Sequence, residues 1–207
     1  EELQQIKESF VKDANTAALQ NMLTQDNNIK NKTLNWDLQG KIDHYFKYRV
    51  DVKGITDQKS SGRCWMFTSM NVLRPAVMEK YNVASFDFSH NYNYFWDIFE
   101  KSNLFLQGVI DTRKKPFDDR TLEWLFKHPL SDGGTFTGVA DLIAKYGVVP
   151  KGVMKESYTS DNTSAFSALL ITKLREFGLE LREAHENGAK EKKLLDIKKE
   201  QLKVVYK

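Results

Sequence analysis

The sequence holds one cysteine in 207 residues, so no disulfide can form within the chain. A lone thiol fits a reducing compartment, and the cytoplasm is the expected location. Only four prolines are present, and neither they nor the glycines gather into a low-complexity tract. No apolar run approaches the length needed to cross a bilayer, so no membrane partner is expected. Residues 1–24 are amphipathic and charged and lack the continuous apolar stretch of a signal peptide. The chain begins at Glu1 rather than Met, which leaves open an export signal removed ahead of it. No set of His, Cys, Asp and Glu has metal-ligand spacing, and no Gly-rich phosphate loop occurs, so neither metal nor cofactor is expected. There is no internal repeat.

What is present describes a globular protein. Hydrophobic residues make up 41% and aromatics 12%, more than a disordered chain carries. The formal net charge of +3 does not mark the whole chain as a nucleic-acid binder. Helical periodicity runs over residues 2–23 through Leu3, Ile6, Phe10, Ala14 and Ala17. Thr24–Thr33 reads as a polar loop, Trp36–Tyr48 as a short helix, and Tyr48–Thr56 as extended chain turning at Gly54. Cys64–Lys80 is periodic through Phe67, Met70, Leu73 and Val77, with Pro75 predicting a kink. Ser89 caps an aromatic helix carrying Tyr92, Phe95, Trp96 and Phe99, and Asp118 or Asp119 caps a short helix through Leu122 and Leu125. A turn at Ser131–Gly134 leads into a helix ending at Tyr146, with Gly147 just past it. Ser160–Ser164 reads as a polar loop, and the rest as helix with breaks near Gly178 and Gly188.

The chemistry concentrates in Gln58-Lys-Ser-Ser-Gly62-Arg63-Cys64-Trp65. A thiol attacks as thiolate, and a helix N-terminus brings the positive end of the dipole and free N–H groups to it. The Ser60–Gly62 turn ahead of a periodic run predicts that position for Cys64. Acyl transfer also needs donors for an oxyanion, and the Cys64 N–H and the Gln58 side-chain amide are candidates. Against this stands the commoner role of a solitary Cys, a small buried apolar residue.

Gln58, Cys64 six residues on, Trp65 next, and Val50-Asp-Val-Lys-Gly-Ile-Thr56 before them resemble the papain-like cysteine peptidases. The first Cys of that family's Cys-Gly-Ser-Cys-Trp signature is Ser61 here. Ser61-Gly-Arg-Cys-Trp65 is similar to the bleomycin hydrolase and aminopeptidase C branch, which lacks the disulfides of secreted relatives. Phe88–Asp97 resembles that branch's aromatic helix, Asp132-Gly133-Gly134 its substrate-cleft turn, and Lys145–Pro150 the segment after it.

The resemblance implies an α+β papain-like fold. This chain would supply mainly the helical half, with an N-terminal helical extension over 1–49, the catalytic segment over 50–160 and a helical insertion over 161–207. It implies a cysteine aminopeptidase acting through a thioester on Cys64, with Gln58 in the oxyanion hole and Gly133 and Gly134 aligning peptide substrates. It also implies a homo-oligomer, a hexamer.

A general base is also required, and the family places its His about 130–150 residues after the Cys, on the β-rich half with an orienting Asn. His185 lies short of that window in a polar helical stretch, Glu183-Ala-His-Glu-Asn187, and reads as a surface residue. His44 precedes the cleft segment, His128 sits in a loop before Pro129, and His90 stands where the branch commonly has Gln. The base and its Asn are therefore expected outside this chain. The alternative is a non-catalytic helical interaction or nucleic-acid-binding protein on a peptidase scaffold, its contact the Lys-rich stretch from Lys190 to Lys207.

Overall fold

In a computed structural model of the chain, residues 1–10, 13–25, 34–38, 40–50 and 54–207 are described. They fall into two units, Glu1–Arg49 and Val50–Lys207. The first unit holds α1 (Glu2–Ser9) and α2 (Ala14–Gln25), where the periodicity predicts one helix. Asp13 accounts for the second start, because its Oδ1 accepts the Thr16 N–H at 2.7 Å. Neither helix buries a residue. The helix expected over Trp36–Tyr48 is a single 3-10 turn, Trp36–Leu38, and Gly40 soon afterwards takes φ +96. Most of the expected Thr24–Thr33 loop and residues 51–53 of the expected extended segment lie outside the described residues.

The second unit is built on helices. They are α3 (Cys64–Tyr81), α4 (His90–Asp111), α5 (Arg120–Lys127), α6 (Phe136–Tyr146), the single turn α7 (Tyr158–Asp161), α8 (Thr163–Glu186) and α9 (Glu191–Tyr206). Among the described residues there is no strand, only isolated bridges between Ser60 and Asn162 and between Phe88 and Pro150. The strands that an α+β fold requires are thus not found among the described residues. Among the described residues no helix is long and apolar enough to cross a membrane.

The longest apolar stripe organises this unit. The Ser89 Oγ accepts the Tyr92 N–H at 3.1 Å and starts α4. Tyr94, Ile98, Phe105, Val109 and others then recur on its buried face. The helix packs against α3, α5, α6, α8 and α9, so every other long element of the unit leans on it. The core joins Met66 and Met70 of α3 to Leu106 of α4, Val139 of α6, Leu174 of α8 and Leu194 of α9. Helix α3 continues through Pro75 and ends at Asn82, whose φ of +49 and ψ of +48 are left-handed, a conformation Asn tolerates. Asp119 caps α5 by accepting the Thr121 and Leu122 N–H groups.

Two expectations for the last third differ from the structure. Within Ser160–Ser164 every residue but Asn162 is helical, because the Ser157 side chain accepts the Ser160 N–H and the Ser160 Oγ donates back to Glu156. Helix α8 runs uninterrupted across Gly178. A Cβ there would lie 2.9 Å from Phe126 Cζ and 3.2 Å from Phe105 Cζ, so this glycine serves close packing and not a break. The break falls at Gly188, φ +87, between α8 and α9. Gly178→Ala should therefore lower the thermal midpoint, a net loss of about 1–2 kcal/mol from overpacking. Helix propensity alone would favour Ala by about 1 kcal/mol. A raised midpoint in calorimetry would show that Phe126 gives way freely.

Candidate active site

Cys64 is the first residue of α3, and its thiol is exposed. The first-turn N–H groups of a helix have no intrahelical acceptor, so Cys64 stands at a positive, donor-rich end. The turn before it is internally bonded. Gln58 Nε2 donates to the Ser61 carbonyl at 2.8 Å, and Ser61 Oγ donates to the Gln58 carbonyl at 2.6 Å. One N–H of the Gln58 amide is thereby engaged, and the NH₂ group carries a second. Lys59 adopts φ +54 within this turn.

Arg63, next to the thiol, is fully buried. Its Nε donates to Ser61 Oγ at 2.9 Å and its Nη1 to Glu156 at 2.9 Å, while the guanidinium lies over the rings of Phe67 and Tyr94. A charge without exposure needs such partners.

The Gly133–Gly134 turn is fastened to the same place. The Asp132 carboxylate accepts the Gly62 N–H at 3.2 Å, the Asp132 carbonyl accepts Trp65 Nε1 at 2.7 Å, and Tyr94, Ser167 and Thr163 hydroxyls complete the carboxylate's partners. Burial pushes this carboxyl up, but the hydrogen bonds from Thr163, Gly62, Ser167 and Tyr94 hold it below its usual range. Lys101 Nζ donates to the Ser131 and Gly133 carbonyls at 2.8 and 2.7 Å, pairs with Asp97, and stands 5.3 Å from the centre of the Trp65 ring.

The two glycines are not equivalent. The Gly133 N–H donates to Ser131 Oγ and its carbonyl accepts from Lys101. Gly134 is exposed, and among the described residues neither its N–H nor its carbonyl has a hydrogen-bond partner. A Cβ on Gly134 would come within 2.6 Å of the Trp65 ring, whereas one on Gly133 would meet only Ser131 Oγ at 3.4 Å.

The structure brings Gln58, Cys64 and the glycine turn together. His44 and His128 are exposed, and His185 lines a surface hollow with Arg113, Lys114 and Gly188. His90 is buried and stacked on Phe67, ring centres 3.7 Å apart. Among the described residues, no His side chain is hydrogen-bonded to Cys64 and no three His, Cys, Asp or Glu side chains gather as metal ligands. In the Lys-rich α9, Lys203 pairs with Glu200 and Lys198 donates to Gln107.

A profile of the Peptidase C1-like family matches residues 1–207. The chain belongs to that family. It is 40% identical over 165 residues to aminopeptidase C of Lactobacillus delbrueckii subsp. lactis, covering 80% of this chain and 37% of that enzyme. It is 41% identical over 153 residues to human bleomycin hydrolase, covering 72% of this chain and 34% of the hydrolase. The crystal structure of PepW from Lactobacillus rhamnosis HN001 superposes with a TM-score of 0.87 at 34% identity, covering 99% of this chain and 46% of PepW. The chain therefore spans between a third and a half of the length of these relatives.

Burial gives two groups near the site a pH dependence. Burial lowers His90 from 6.5 to about 4. Burial raises Asp97 from 3.8 to about 6, against the pull of Lys101. The stability tied to neutral His90 is complete above 6.5 and is lost as pH falls toward 4, because the unfolded chain takes the proton first. Asp97 has the opposite sign, its charged form costing stability as pH rises from 3.8 through 6. His90→Gln leaves the Asp97 contribution in place. The wild type should therefore lose stability relative to this variant between pH 6.5 and 4, on the order of 3 kcal/mol. Thermal midpoints across that range measure the difference, and parallel curves would contradict it.

Proposed function

We propose that this chain is the nucleophile-bearing part of a cysteine aminopeptidase. The observation that carries the reading is an exposed Cys64 at the first position of an 18-residue helix, its turn bonded to a turn presenting the free backbone of Gly134. Cys64 attacks the scissile carbonyl, a C–S bond forms and the C–N bond breaks. The amine leaves with a proton from a general acid, and water then hydrolyses the thioester. The Cys64 N–H and the second N–H of the Gln58 amide stabilise the oxyanion. The Gly134 N–H and carbonyl pair with the substrate backbone, and Gly133 shapes the turn beneath it.

Among the described residues no His side chain is hydrogen-bonded to Cys64, and the reading assigns the base and its orienting Asn to another part of the protein. That other part is the β-rich half of the α+β papain-like fold, with residues 1–49 an extension and 161–207 an insertion. Removal of N-terminal residues rests on the likeness to aminopeptidase C and bleomycin hydrolase, as do a homohexamer and a cytoplasmic location.

The test uses the complete protein and an aminoacyl fluorogenic amide. Turnover should vanish with Cys64→Ser, and iodoacetamide should alkylate Cys64 faster than free cysteine at neutral pH. Gln58→Ala should lower kcat by about 10²–10³ in folded protein. Turnover surviving Cys64→Ser would sink the proposal.

The glycines offer a separate check. Gly134→Ala should lower kcat/KM by about 10², since its Cβ meets the Trp65 ring and displaces the turn. Gly133→Ala should stay within about 3-fold, well below what a 1 Å misplacement at a site costs. Equal losses at both positions would remove the distinction between them.

A further inference from the structure

We propose that Asp132 is a positioning residue for this peptidase, holding the Cys64 turn and the Gly134 turn in one fixed register. The inference rests on the reaction proposed above. Asp132 contacts the chain on both sides of the nucleophile. Its carboxylate takes the Gly62 N–H, two residues before Cys64, and its carbonyl takes Trp65 Nε1, one residue after. Its own peptide leads directly into Gly133 and Gly134. Thus one residue spans the attacking atom and the backbone proposed to receive the substrate.

The far side of the carboxylate is fixed as well. Oδ1 accepts from Tyr94 of α4 at 3.2 Å and from Ser167 of α8 at 3.1 Å, and Oδ2 also accepts from Thr163 at the start of α8. An ionised carboxylate offers about four lone-pair sites, and four donors occupy them. Such charge-assisted bonds are roughly twice as strong as neutral ones. Packing reinforces them. A Cβ on Gly62 would lie 2.5 Å from Asp132 Cβ, so the two backbones meet as closely as a glycine permits.

Lys101 supplies an independent restraint on the same turn. It ties the carbonyls on either side of Asp132, those of Ser131 and Gly133, and so limits rotation of the peptides around it. The turn is therefore held from α4 by Tyr94 and Lys101 and from α8 by Thr163 and Ser167. A shift of about 1 Å between nucleophile and substrate backbone costs about 10² in rate, which sets the expected size of the effect.

The experiment compares two reactions of the complete protein. Peptide turnover needs both turns, whereas alkylation by iodoacetamide needs only Cys64. Asp132→Ala should lower kcat/KM for an aminoacyl amide by about 10². Alkylation should slow much less, by under about 5-fold. Asp132→Asn keeps a carbonyl oxygen for the Gly62 N–H and should recover about 10-fold of the loss. Wild-type kcat/KM in folded Asp132→Ala protein would overturn the inference. So would equal losses in turnover and alkylation without rescue by Asn, since that marks general damage to the fold. Should Asp132→Ala fail to fold, the Thr163→Val, Ser167→Ala double variant keeps the Gly62, Trp65 and Tyr94 bonds and removes both donors from α8. It should raise KM with alkylation unchanged, and an unchanged KM would overturn the inference. Wild-type protein without turnover, or turnover that survives Cys64→Ser, would overturn the peptidase reading instead, before any Asp132 variant is compared.

Discussion

Two charges of opposite sign lie beside the thiol-bearing residue, and the geometry around Cys64 depends on both being satisfied. The Arg63 guanidinium has no exposure, and an isolated buried cation is strongly unfavourable. It is tolerated because Ser61 and Glu156 accept from it and the faces of Phe67 and Tyr94 lie against it. On the other side, the Asp132 carboxylate collects four donors. Removing Glu156 would leave the buried Arg63 with fewer acceptors, which is destabilising. The turn from Gln58 to Arg63 is therefore determined less by its own residues than by Glu156 and Asp132, which come from far along the chain.

This dependence explains why the segment after residue 150 belongs to the site energetically although it carries no chemistry of its own. Glu156 accepts from Arg63 and from Ser160, and Thr163 donates to Asp132 and through its N–H to the Ser60 carbonyl. The stretch from Glu156 to Thr163 thus touches both charges. Helices α8 and α9 in turn pack on α4, whose Tyr94 contacts Arg63 and Asp132 together. Core packing and site geometry meet in that one tyrosine. Burial raises its hydroxyl well above the usual tyrosine range and keeps it a donor to Asp132.

Much of the helical framework was legible because its signals are local. Ser89, Asp119 and Gly188 act at the ends of helices through their own side chains or backbone angles, within a few residues of where they stand. The start of α3 at Cys64 was legible for the same reason. The misreadings have tertiary causes. Gly178 looks like a break in isolation, yet it is helical because Phe105 and Phe126 need its space. Ser160 looks like loop, yet its hydroxyl bonds back to Glu156 and it belongs to a helical turn separated from α8 by one residue. At the candidate site, Cys64, Gln58 and the glycine turn stood out by motif, whereas the roles of Arg63, Lys101 and Asp132 depend on partners tens of residues away. A clue lay in the motif itself, where a charged residue sits directly before the thiol and another directly before the paired glycines.

The two glycines show what such a site asks of its backbone. A substrate strand can pair only with N–H and carbonyl groups that the protein has not already used. Gly133 has used both of its groups, on Ser131 and Lys101, and so makes the turn rigid. Gly134 has used neither, and the Trp65 ring behind it leaves no room for a side chain on that face. Rigidity in one residue is what lets the next remain open without collapsing onto its neighbours. The same division appears around the thiol, where a buried Arg63 is held by Ser61 and Glu156 and an exposed Cys64 stands beside it. In both places the reactive or receptive group is unencumbered because the residue before it carries the restraint.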